Sequence, residues 1–309
     1  MSITPEIRLG TRRSPLAMAQ AREARARLCA AHDWPSDRVE LVPVLATGDR
    51  ITDRPLADIG GKALWTRELD QWLLEGRIDA AVHSMKDVET VRPDALSIAA
   101  ILPREDVRDV LIGAVSLDDI SANARIGTSA PRRAAQMLYH RPDCTIVPFR
   151  GNVATRLGRL EAGEADVTLL AAAGLNRLEM PEIGTRLDPE KWLPAPSQGA
   201  IGLECRADDR VTHALLRAID DQQSRAAVMA ERCLLRALGG NCHSPVAVFS
   251  RHEESRLVLE ASLFSADGKE RVSGKMVAPA EEFNAAEELA RDLLAQAGPA
   301  ITTLFSGRA

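Results

Sequence analysis

The sequence contains no apolar run that approaches the roughly 20 residues needed to span a membrane. Its opening residues, MSITPEIRLG, also lack the basic segment followed by an apolar stretch that marks a secretory signal. The net charge of -5 gives the chain no general attraction to nucleic acid or to acidic membranes. These absences predict a cytoplasmic protein that has neither a membrane nor a nucleic acid as its partner.

Two kinds of sequence motif are also missing. The five cysteines are scattered, with no Cys-x-x-Cys pair and no spacing typical of metal ligands. We therefore expect free thiols in a reducing compartment and no bound metal. No Gly-x-Gly-x-x-Gly or Walker-type loop is present either, which argues against a bound nucleotide phosphate.

Lysine is scarce in this chain. It occurs only at Lys62, Lys86, Lys191, Lys269 and Lys275, although Lys and Arg together number 39. Arginine therefore supplies most of the positive charge, and its planar guanidinium can bind a carboxylate or phosphate through two parallel hydrogen bonds. A GC-rich genome would explain this bias equally well, so the positions of the arginines have to decide.

The 309 residues are enough for two or three domains, and two stretches of the chain follow one α/β plan. In the first, a strand at residues 7–9 leads through a Gly-Thr pair to a helix that Ser14 caps. In the second, a strand at residues 125–127 leads through Thr128-Ser129, a predicted cap, to a helix opened by Pro131. This weak internal repeat predicts two similar α/β lobes that face a cleft.

The pattern changes after Pro245. Residues 246–249, 257–264 and 271–277 read as three alternating strands, and a helix is predicted from about residue 280. This block is typical of a separate, smaller α+β domain.

Arginines recur where predicted strands turn into helices. Ligands of open α/β sheets bind beyond the carboxyl ends of the strands, where free N–H groups and the helix dipole favour anions. A single surface arginine would need no explanation, but a recurring position predicts a ligand with several carboxylates or phosphates. The arginines concerned are Arg12, Arg13, Arg132, Arg133, Arg150, Arg156 and Arg177.

Asp87 is the best acid–base candidate. It follows a buried strand at residues 78–82 and adjoins Lys86, with Ser84 close in sequence. A carboxylate that faces a cleft can hold or lend a proton near neutral pH. The alternative is an ordinary helix cap or salt bridge. His83 points to the opposite face from Ser84, and by itself it is more often a packed histidine than a catalyst.

Cys242 lies in the loop Gly239-Gly240-Asn241-Cys242-His243, between a helix and a strand. Glycines give access to the backbone, and the adjacent histidine could assist thiolate formation. The residue suits a nucleophile or a point of covalent attachment, and inert burial is the alternative. The other cysteines lie inside or at the start of regular elements and are expected to be inert.

Six motifs together resemble the hydroxymethylbilane synthase (porphobilinogen deaminase) family. Their order and spacing agree from about residue 7 to residue 245, and beyond that only the length and the β-β-β-α pattern agree. The motifs are Gly60-Gly61-Lys62, His83-Ser84-Met85-Lys86-Asp87, Gly127-Thr128-Ser129 with Arg132-Arg133, Arg150-Gly151-Asn152 with Arg156, the Ala-Gly-Leu run ending at Arg177, and Gln198-Gly199-Ala200.

The resemblance implies a fold of three domains. Residues 1–102 with 198–218, and residues 103–197, would form two lobes of the type II periplasmic-binding-protein kind, with mixed sheets around a cleft. Residues 219–309 would form a small α+β domain that carries the cofactor loop. The resemblance also implies a monomer.

The resemblance further implies a cofactor and a reaction. A dipyrromethane, joined to Cys242 by a thioether, would prime the head-to-tail condensation of four porphobilinogen molecules. Each substrate would lose ammonia to give an electrophilic azafulvene, which the free α-carbon of the bound chain attacks. Water would finally release the linear tetrapyrrole hydroxymethylbilane and leave the dipyrrole attached.

The family's roles carry over residue by residue. Asp87 would stabilise the positive charge that develops on pyrrole nitrogens. One set would bind the carboxylates of the cofactor: Ser84, Lys86, Thr128, Ser129, Arg132 and Arg133. A second set would bind the carboxylates of the substrate and the growing chain: Arg12, Ser14, Arg150, Arg156, Arg177 and Gln198.

The chain departs from the family pattern at Trp65, Pro131, Pro196-Ser197 and Asn241, which affects details of the cleft and removes no catalytic group. Two other functions stay open. One is a non-catalytic receptor for a carboxylated ligand, since such receptors share the two-lobe plan. The other is a hydrolase with Cys242 and His243, although adjacent loop residues rarely point at each other. Release of ammonia from porphobilinogen would exclude both.

Overall fold

The computed structural model describes residues 6–44, 66–241 and 243–305. The chain divides into two compact units, of which unit 1 comprises Met1–Glu105 and Ala200–Arg225, and unit 2 comprises Asp106–Gly199 and Ala226–Ala309. The three-domain division expected from the sequence is finer than this and stays a prediction.

The described strands and helices are numbered here in chain order. The strands are β1 (Ile7–Arg12), β2 (Val39–Val44), β3 (Ala80–Ser84), β4 (Leu96–Ile101), β5 (Asp109–Ile112), β6 (Arg125–Gly127), β7 (Thr145–Val147), β8 (Val167–Ala171), β9 (Thr185–Arg186), β10 (Ile201–Arg206), β11 (Val246–Glu253), β12 (Arg256–Phe264) and β13 (Arg271–Pro279). The helices are α1 (Pro15–His32), α2 (Arg67–Leu74), α3 (Pro131–His140), α4 (Val153–Glu161), α5 (Ala172–Arg177), α6 (Arg210–Arg217), α7 (Gln222–Ala237), α8 (Asn284–Gln296) and α9 (Pro299–Thr302).

Unit 1 is built on a five-stranded sheet with the order β2-β1-β3-β10-β4. Strand β1 is parallel to β2 and β3, whereas β10 is antiparallel to both of its neighbours. Helix α1 forms because Ser14 accepts a hydrogen bond from the Ala17 N–H and proline occupies the first turn. It ends at Asp33 in the left-handed conformation.

The sheet of unit 1 buries apolar side chains in two clusters. One cluster joins the sheet to α1 and α6, through Leu28 and Leu216 among others. The other joins it to α2 through Leu69 and Leu73. Each such fully buried side chain stabilises the fold by about 1.5–3 kcal/mol, so the helices hold the strand ends in fixed positions.

Unit 2 repeats this arrangement in a second five-stranded sheet, of order β7-β6-β8-β5-β9. Strand β6 is parallel to β7 and β8, and β5 is antiparallel to β8, as β10 is to β3 in unit 1. The predicted internal repeat therefore corresponds to two lobes whose sheets share one arrangement of parallel and antiparallel neighbours, although the antiparallel strand comes last in the first lobe, as β10, and first in the second, as β5. The expected α/β class, with two lobes of this kind, is confirmed.

Unit 2 also contains the antiparallel sheet β11-β12-β13. Leu234 of α7 and Leu293 of α8 pack on this sheet in one apolar cluster. The expected small α+β block after residue 245 is thus confirmed. Phe264, the last residue of β12, also packs with Ala135 of α3 and with Leu193.

Some local expectations were wrong. Helix α3 begins after Ala130, which makes no side-chain cap, so Thr128-Ser129 is not its cap. Thr128 Oγ1 instead accepts a hydrogen bond from the Ala130 N–H. The short helix α5 and strand β9 were not expected. The predicted features at residues 60–65 and at Cys242 lie outside the described residues. Among the residues that the structure describes, no helix is long and apolar enough to cross a membrane.

Candidate active site

Asp87 lies at the end of a short 3-10 turn, Met85–Asp87, that directly follows β3. Met85 is buried and fixes this turn, because its N–H donates to the Ala200 carbonyl at 3.1 Å. Gly202 of β10 makes room for the Met85 side chain, since a Cβ on Gly202 would lie 2.1 Å from the Met85 sulfur. Packing between β3 and β10 therefore sets the position of Asp87.

A small cavity lies beside this turn. Arg12 at the end of β1 and Ser84 at the end of β3 line it together with Asp87, so the structure brings these three predicted residues to one place. The other lining residues are Ala17, Gln20, Thr66, Val82, His83 and Val88. A cation, a carboxylate and a hydroxyl thus share one recess at the carboxyl edge of the sheet.

Two predicted residues of unit 1 are not among the residues that line the cavity. The hydroxyl of Ser14 accepts the cap hydrogen bond of α1 at 3.3 Å from the Ala17 nitrogen. Lys86 is half-buried in the turn between Met85 and Asp87. Their predicted contacts with substrate and cofactor stay predictions.

A buried ion network lies behind the cavity. Arg92 donates to Glu204 at 2.9 and 2.7 Å and to Glu89 at 2.7 Å, and it also donates to Asp70. The Nε2 atom of His83 lies 3.4 Å from Glu204. Because these residues lie on β3, β10, α2 and the segment after the turn, Arg92 ties together the elements that surround Asp87.

The charges in this network have shifted pKa values. Burial opposes the ionisation of Glu204, but the contacts with His83 and Arg92 outweigh it and lower the pKa of Glu204 to about 2. Burial raises the pKa of Asp70 despite its hydrogen bond with Arg92. The ligand atoms of Asp70, His83 and Glu204 lie within 4.8 Å of one another, a spacing that suits a metal ion. However, the guanidinium of Arg92 already supplies a cation to both carboxylates.

The predicted cofactor arginines of unit 2 are buried around a carboxylate that sequence reasoning missed. Arg132 and Arg133 are only 5% and 4% exposed, and both donate to Asp109, which is fully buried. The Arg133 Nη2–Asp109 Oδ1 distance is 2.7 Å. Trp192 Nε1 and Gln198 Nε2 donate to the same carboxylate at 2.8 and 2.9 Å. Sequence reasoning found the arginines and the glutamine but not the group that joins them.

Electrostatics in this cluster favour the charged form of the carboxylate. Burial opposes the ionisation of Asp109, but the charges of Arg132 and Arg133 outweigh it and hold the pKa of Asp109 well below its usual range. Burial lowers the pKa of Arg132. The remaining predicted residues nearby differ in exposure, since Thr128 is buried and Ser129 is exposed.

Three further arginines lie at the carboxyl edge of the five-stranded sheet of unit 2. Arg150 lies between β7 and α4, and its Nη1 atom is buried with no hydrogen-bond partner. Arg156, in the first turns of α4, donates to the Gly151 carbonyl at 3.0 Å, and Arg177 at the end of α5 donates to the Gly199 carbonyl at 3.1 Å. Since β6, β7 and β8 are parallel, the turns that follow them share one edge, as the sequence predicted.

Cys242 lies outside the described residues, and its neighbours Asn241 and His243 are exposed. The Asn241 side chain accepts a hydrogen bond from the His243 N–H at 2.8 Å.

Three of the other four thiols, Cys144, Cys205 and Cys233, are poorly placed for reaction. Cys144 and Cys205 are buried, and Cys29 and Cys233 are partly exposed. Burial raises the pKa of Cys144, Cys205 and Cys233, in the case of Cys205 to about 12. A raised pKa keeps a thiol protonated and unreactive.

Two family models match this chain. The model described as porphobilinogen deaminase, dipyromethane cofactor binding domain, matches residues 7–214. The model described as porphobilinogen deaminase, C-terminal domain, matches residues 225–297.

Curated relatives match over almost the whole chain. The porphobilinogen deaminase of Sphingopyxis alaskensis is 54% identical over 98% of this chain and 98% of its own length. That of Paracoccus denitrificans is 46% identical over 94% of each. The chloroplastic porphobilinogen deaminase of Oryza sativa subsp. japonica is 45% identical over 95% of this chain and 84% of its own.

Solved structures of low sequence identity are also similar. A periplasmic binding protein of Salmonella typhimurium with high arginine specificity has a TM-score of 0.40 at 10% identity, over 74% of this chain and 97% of that one. The protein YhfZ from Shigella flexneri has a TM-score of 0.36 at 20% identity, over 74% of this chain and 94% of that one.

Proposed function

Because this chain belongs to the porphobilinogen deaminase family, we propose that it is a hydroxymethylbilane synthase. It removes ammonia from four porphobilinogen molecules, joins them head to tail on a covalently bound dipyrromethane and releases the linear tetrapyrrole by hydrolysis. The observation that supports this most strongly is the match of both family domains in order, together with 54% identity to a named porphobilinogen deaminase.

The cofactor we propose is dipyrromethane, attached through a thioether to Cys242. Its contribution is an organic primer whose free α-carbon accepts each new pyrrole unit. The raised pKa of Cys144, Cys205 and Cys233 leaves these thiols unsuited to attachment.

The residues of unit 2 fit a ligand with several carboxylates. Arg132 and Arg133 share the single carboxylate of Asp109, so one positive charge of this cluster is not balanced within it. Arg150 holds a buried Nη1 atom that has no hydrogen-bond partner. We propose that Thr128, Ser129, Arg132 and Arg133 bind carboxylates of the cofactor, together with Ser84 and Lys86 of unit 1.

Asp87 is the catalytic residue of this proposal. Its carboxylate lines a small recess with Arg12 and Ser84, where it can accept hydrogen bonds from pyrrole N–H groups. Positive charge builds on those nitrogens when ammonia leaves and when the α-proton is lost, and a fixed carboxylate stabilises it. The substrate-binding set, which holds acetate and propionate groups by charge-assisted hydrogen bonds, is Arg12, Ser14, Arg150, Arg156, Arg177 and Gln198.

Location and assembly are part of the same proposal. We place the protein in the cytoplasm, where thiols stay reduced, and we expect a monomer. Sedimentation of the purified protein at several concentrations checks the second expectation, and a mass above that of one chain would contradict it.

The attachment of the cofactor provides the direct test. Intact-protein mass spectrometry of the purified enzyme should show one added dipyrrole, and peptide mapping should place it on the fragment that contains Cys242. Cys242→Ser should lose both the added mass and the activity. Cys29→Ser is the matched control and should keep both.

An assay with porphobilinogen completes this test by following the ammonia released and the tetrapyrrole formed. A non-catalytic receptor would release no ammonia, and a cysteine hydrolase would form no tetrapyrrole. Fully active enzyme with the unmodified chain mass would end this account of the mechanism.

A further inference from the structure

Asp109 opens strand β5 and accepts hydrogen bonds from four side chains. Its Oδ1 atom accepts from Arg133 Nη2 at 2.7 Å and from Gln198 Nε2 at 2.9 Å. Its Oδ2 atom accepts from Trp192 Nε1 at 2.8 Å, from Arg133 Nε at 3.3 Å and from Arg132 Nη1. A carboxylate with this many donors has one orientation, and it imposes that orientation on both guanidinium groups.

The positive charge of the two arginines exceeds the negative charge of the one carboxylate in this cluster. Among the described residues, Asp109 is the carboxylate that pairs with either guanidinium, and the other bonds of Arg132 and Arg133 go to the carbonyls of Leu193 and Leu169. Two positive charges and one negative charge leave a net charge of about +1 in a buried place. Excess buried charge is costly unless an anion completes the pairing.

One donor in the cluster points to such an anion. The Nε atom of Arg132 is buried and has no hydrogen-bond partner, although the residue is only 5% exposed. Buried donors are rarely left without a partner, and those that are call for a reason. Arg132 thus keeps a donor available after it has paired with Asp109.

We infer that Asp109 is a positioning residue for the cofactor: it fixes Arg132 and Arg133 in place and leaves them with one net positive charge, matched to a single carboxylate. This inference rests on the proposed function. In this inference Trp192 and Gln198 hold Asp109 in place, because the side chains of both residues, which lie in the segment before β10, donate hydrogen bonds to the Asp109 carboxylate.

The inference predicts a loss of cofactor when the charge of Asp109 is removed. Asp109→Asn keeps the size of the side chain but leaves two unpaired positive charges, so the fraction of purified protein with the added dipyrrole should fall more than tenfold. Asp220→Asn is the matched control, since Asp220 also pairs with an arginine, Arg225 at 2.6 Å, in the other unit. Its dipyrrole content should stay within twofold of the parent protein.

A purely structural role for Asp109 would give a different result. It would lower the melting temperature of Asp109→Asn but leave the folded protein fully loaded, and that outcome overturns the inference. If Asp109→Asn does not fold, Trp192→Phe decides, because it removes one donor to Asp109 and no charge. Its apoprotein should load dipyrrole from porphobilinogen at least threefold more slowly, and an unchanged rate would overturn the inference.

The parent protein separates this inference from the proposed function. A parent protein that carries no dipyrrole contradicts the proposed function itself. A loaded and active parent protein together with a fully loaded Asp109→Asn contradicts only the role of Asp109.

Discussion

Arg92→Leu should be among the most destabilising single changes in unit 1. Arg92 is buried to 8% side-chain exposure and pairs with Asp70, Glu89 and Glu204, so leucine would leave three carboxylates without their shared cation. Removal of one partner from a buried ion pair costs about 3–5 kcal/mol. At about 2–4 °C per kcal/mol, the melting temperature should fall by about 6–20 °C, as calorimetry would measure.

The pH dependence of this loss follows from Glu204. Its contacts with His83 and Arg92 lower its pKa from 4.5 to about 2, so their stabilisation is fully present above pH 4.5 and is lost as the pH falls toward 2. The variant lacks the part of that stabilisation that Arg92 supplies, and its deficit relative to the parent protein should therefore shrink between pH 4.5 and 2. The raised pKa of Asp70 acts in the opposite sense, since its contribution to stability is present below pH 3.8 and is lost as the pH rises through the shifted value.

An exposed arginine pair provides the control for this experiment. Arg27 pairs with Glu23 at 3.3 Å, with the two side chains 40% and 28% exposed, and such pairs contribute less than about 1 kcal/mol. Arg27→Leu should shift the melting temperature by only a few degrees. The reasoning is refuted if Arg92→Leu melts no lower than Arg27→Leu, or if its deficit grows as the pH falls toward 2.

The remaining predictions concern the proposed reaction. Asp87→Asn should keep the fold and the dipyrrole but lose at least about a hundredfold in turnover, as general acid–base groups contribute; a near-normal rate in a porphobilinogen assay would place the charge stabilisation elsewhere. Arg132→Leu should impair cofactor assembly, whereas Arg177→Leu should keep the cofactor and raise the KM for porphobilinogen. Mass spectrometry and kinetics of both variants check this, and the reverse pattern would exchange the two assignments.

The fold was predictable where its signals are local. Helix α1 follows from Ser14 and Pro15 at its start, and the alternation of residues 257–264 identifies β12. Helix α5 has only six residues, which begin with two alanines followed by Gly174. So short a segment shows no helical periodicity in the sequence. The cap at Thr128-Ser129 was misjudged because Thr128 bonds to Ala130 and closes a turn ahead of the helix.

The site was predictable only in part. The arginines and Asp87 stand out because they lie at or shortly after the ends of predicted strands, a pattern that is visible in one sequence. The groups that hold them depend on pairs far apart in the chain: 83 positions separate Trp192 from Asp109, and 112 separate Arg92 from Glu204. No local pattern reports such pairings, because they arise only when the sheet has assembled.

Strand β10 has a consequence for synthesis on the ribosome. It lies between β3 and β4, yet it is translated after all the strands of the second five-stranded sheet. At roughly 5–20 residues per second, β3 and β4 wait about 5–20 s for their common neighbour. During that time each presents an unpaired edge, which invites association with other nascent chains.

The second lobe should therefore complete its sheet before the first lobe does, although the first lobe begins to be translated earlier. Strands β5 to β9 form a continuous stretch of chain, so that sheet can close while the first lobe is still incomplete. A message truncated before the codon for Ile201 would yield a first lobe without strand β10, which lies between β3 and β4. Chaperones that cover exposed strand edges would then act mainly on the amino-terminal lobe.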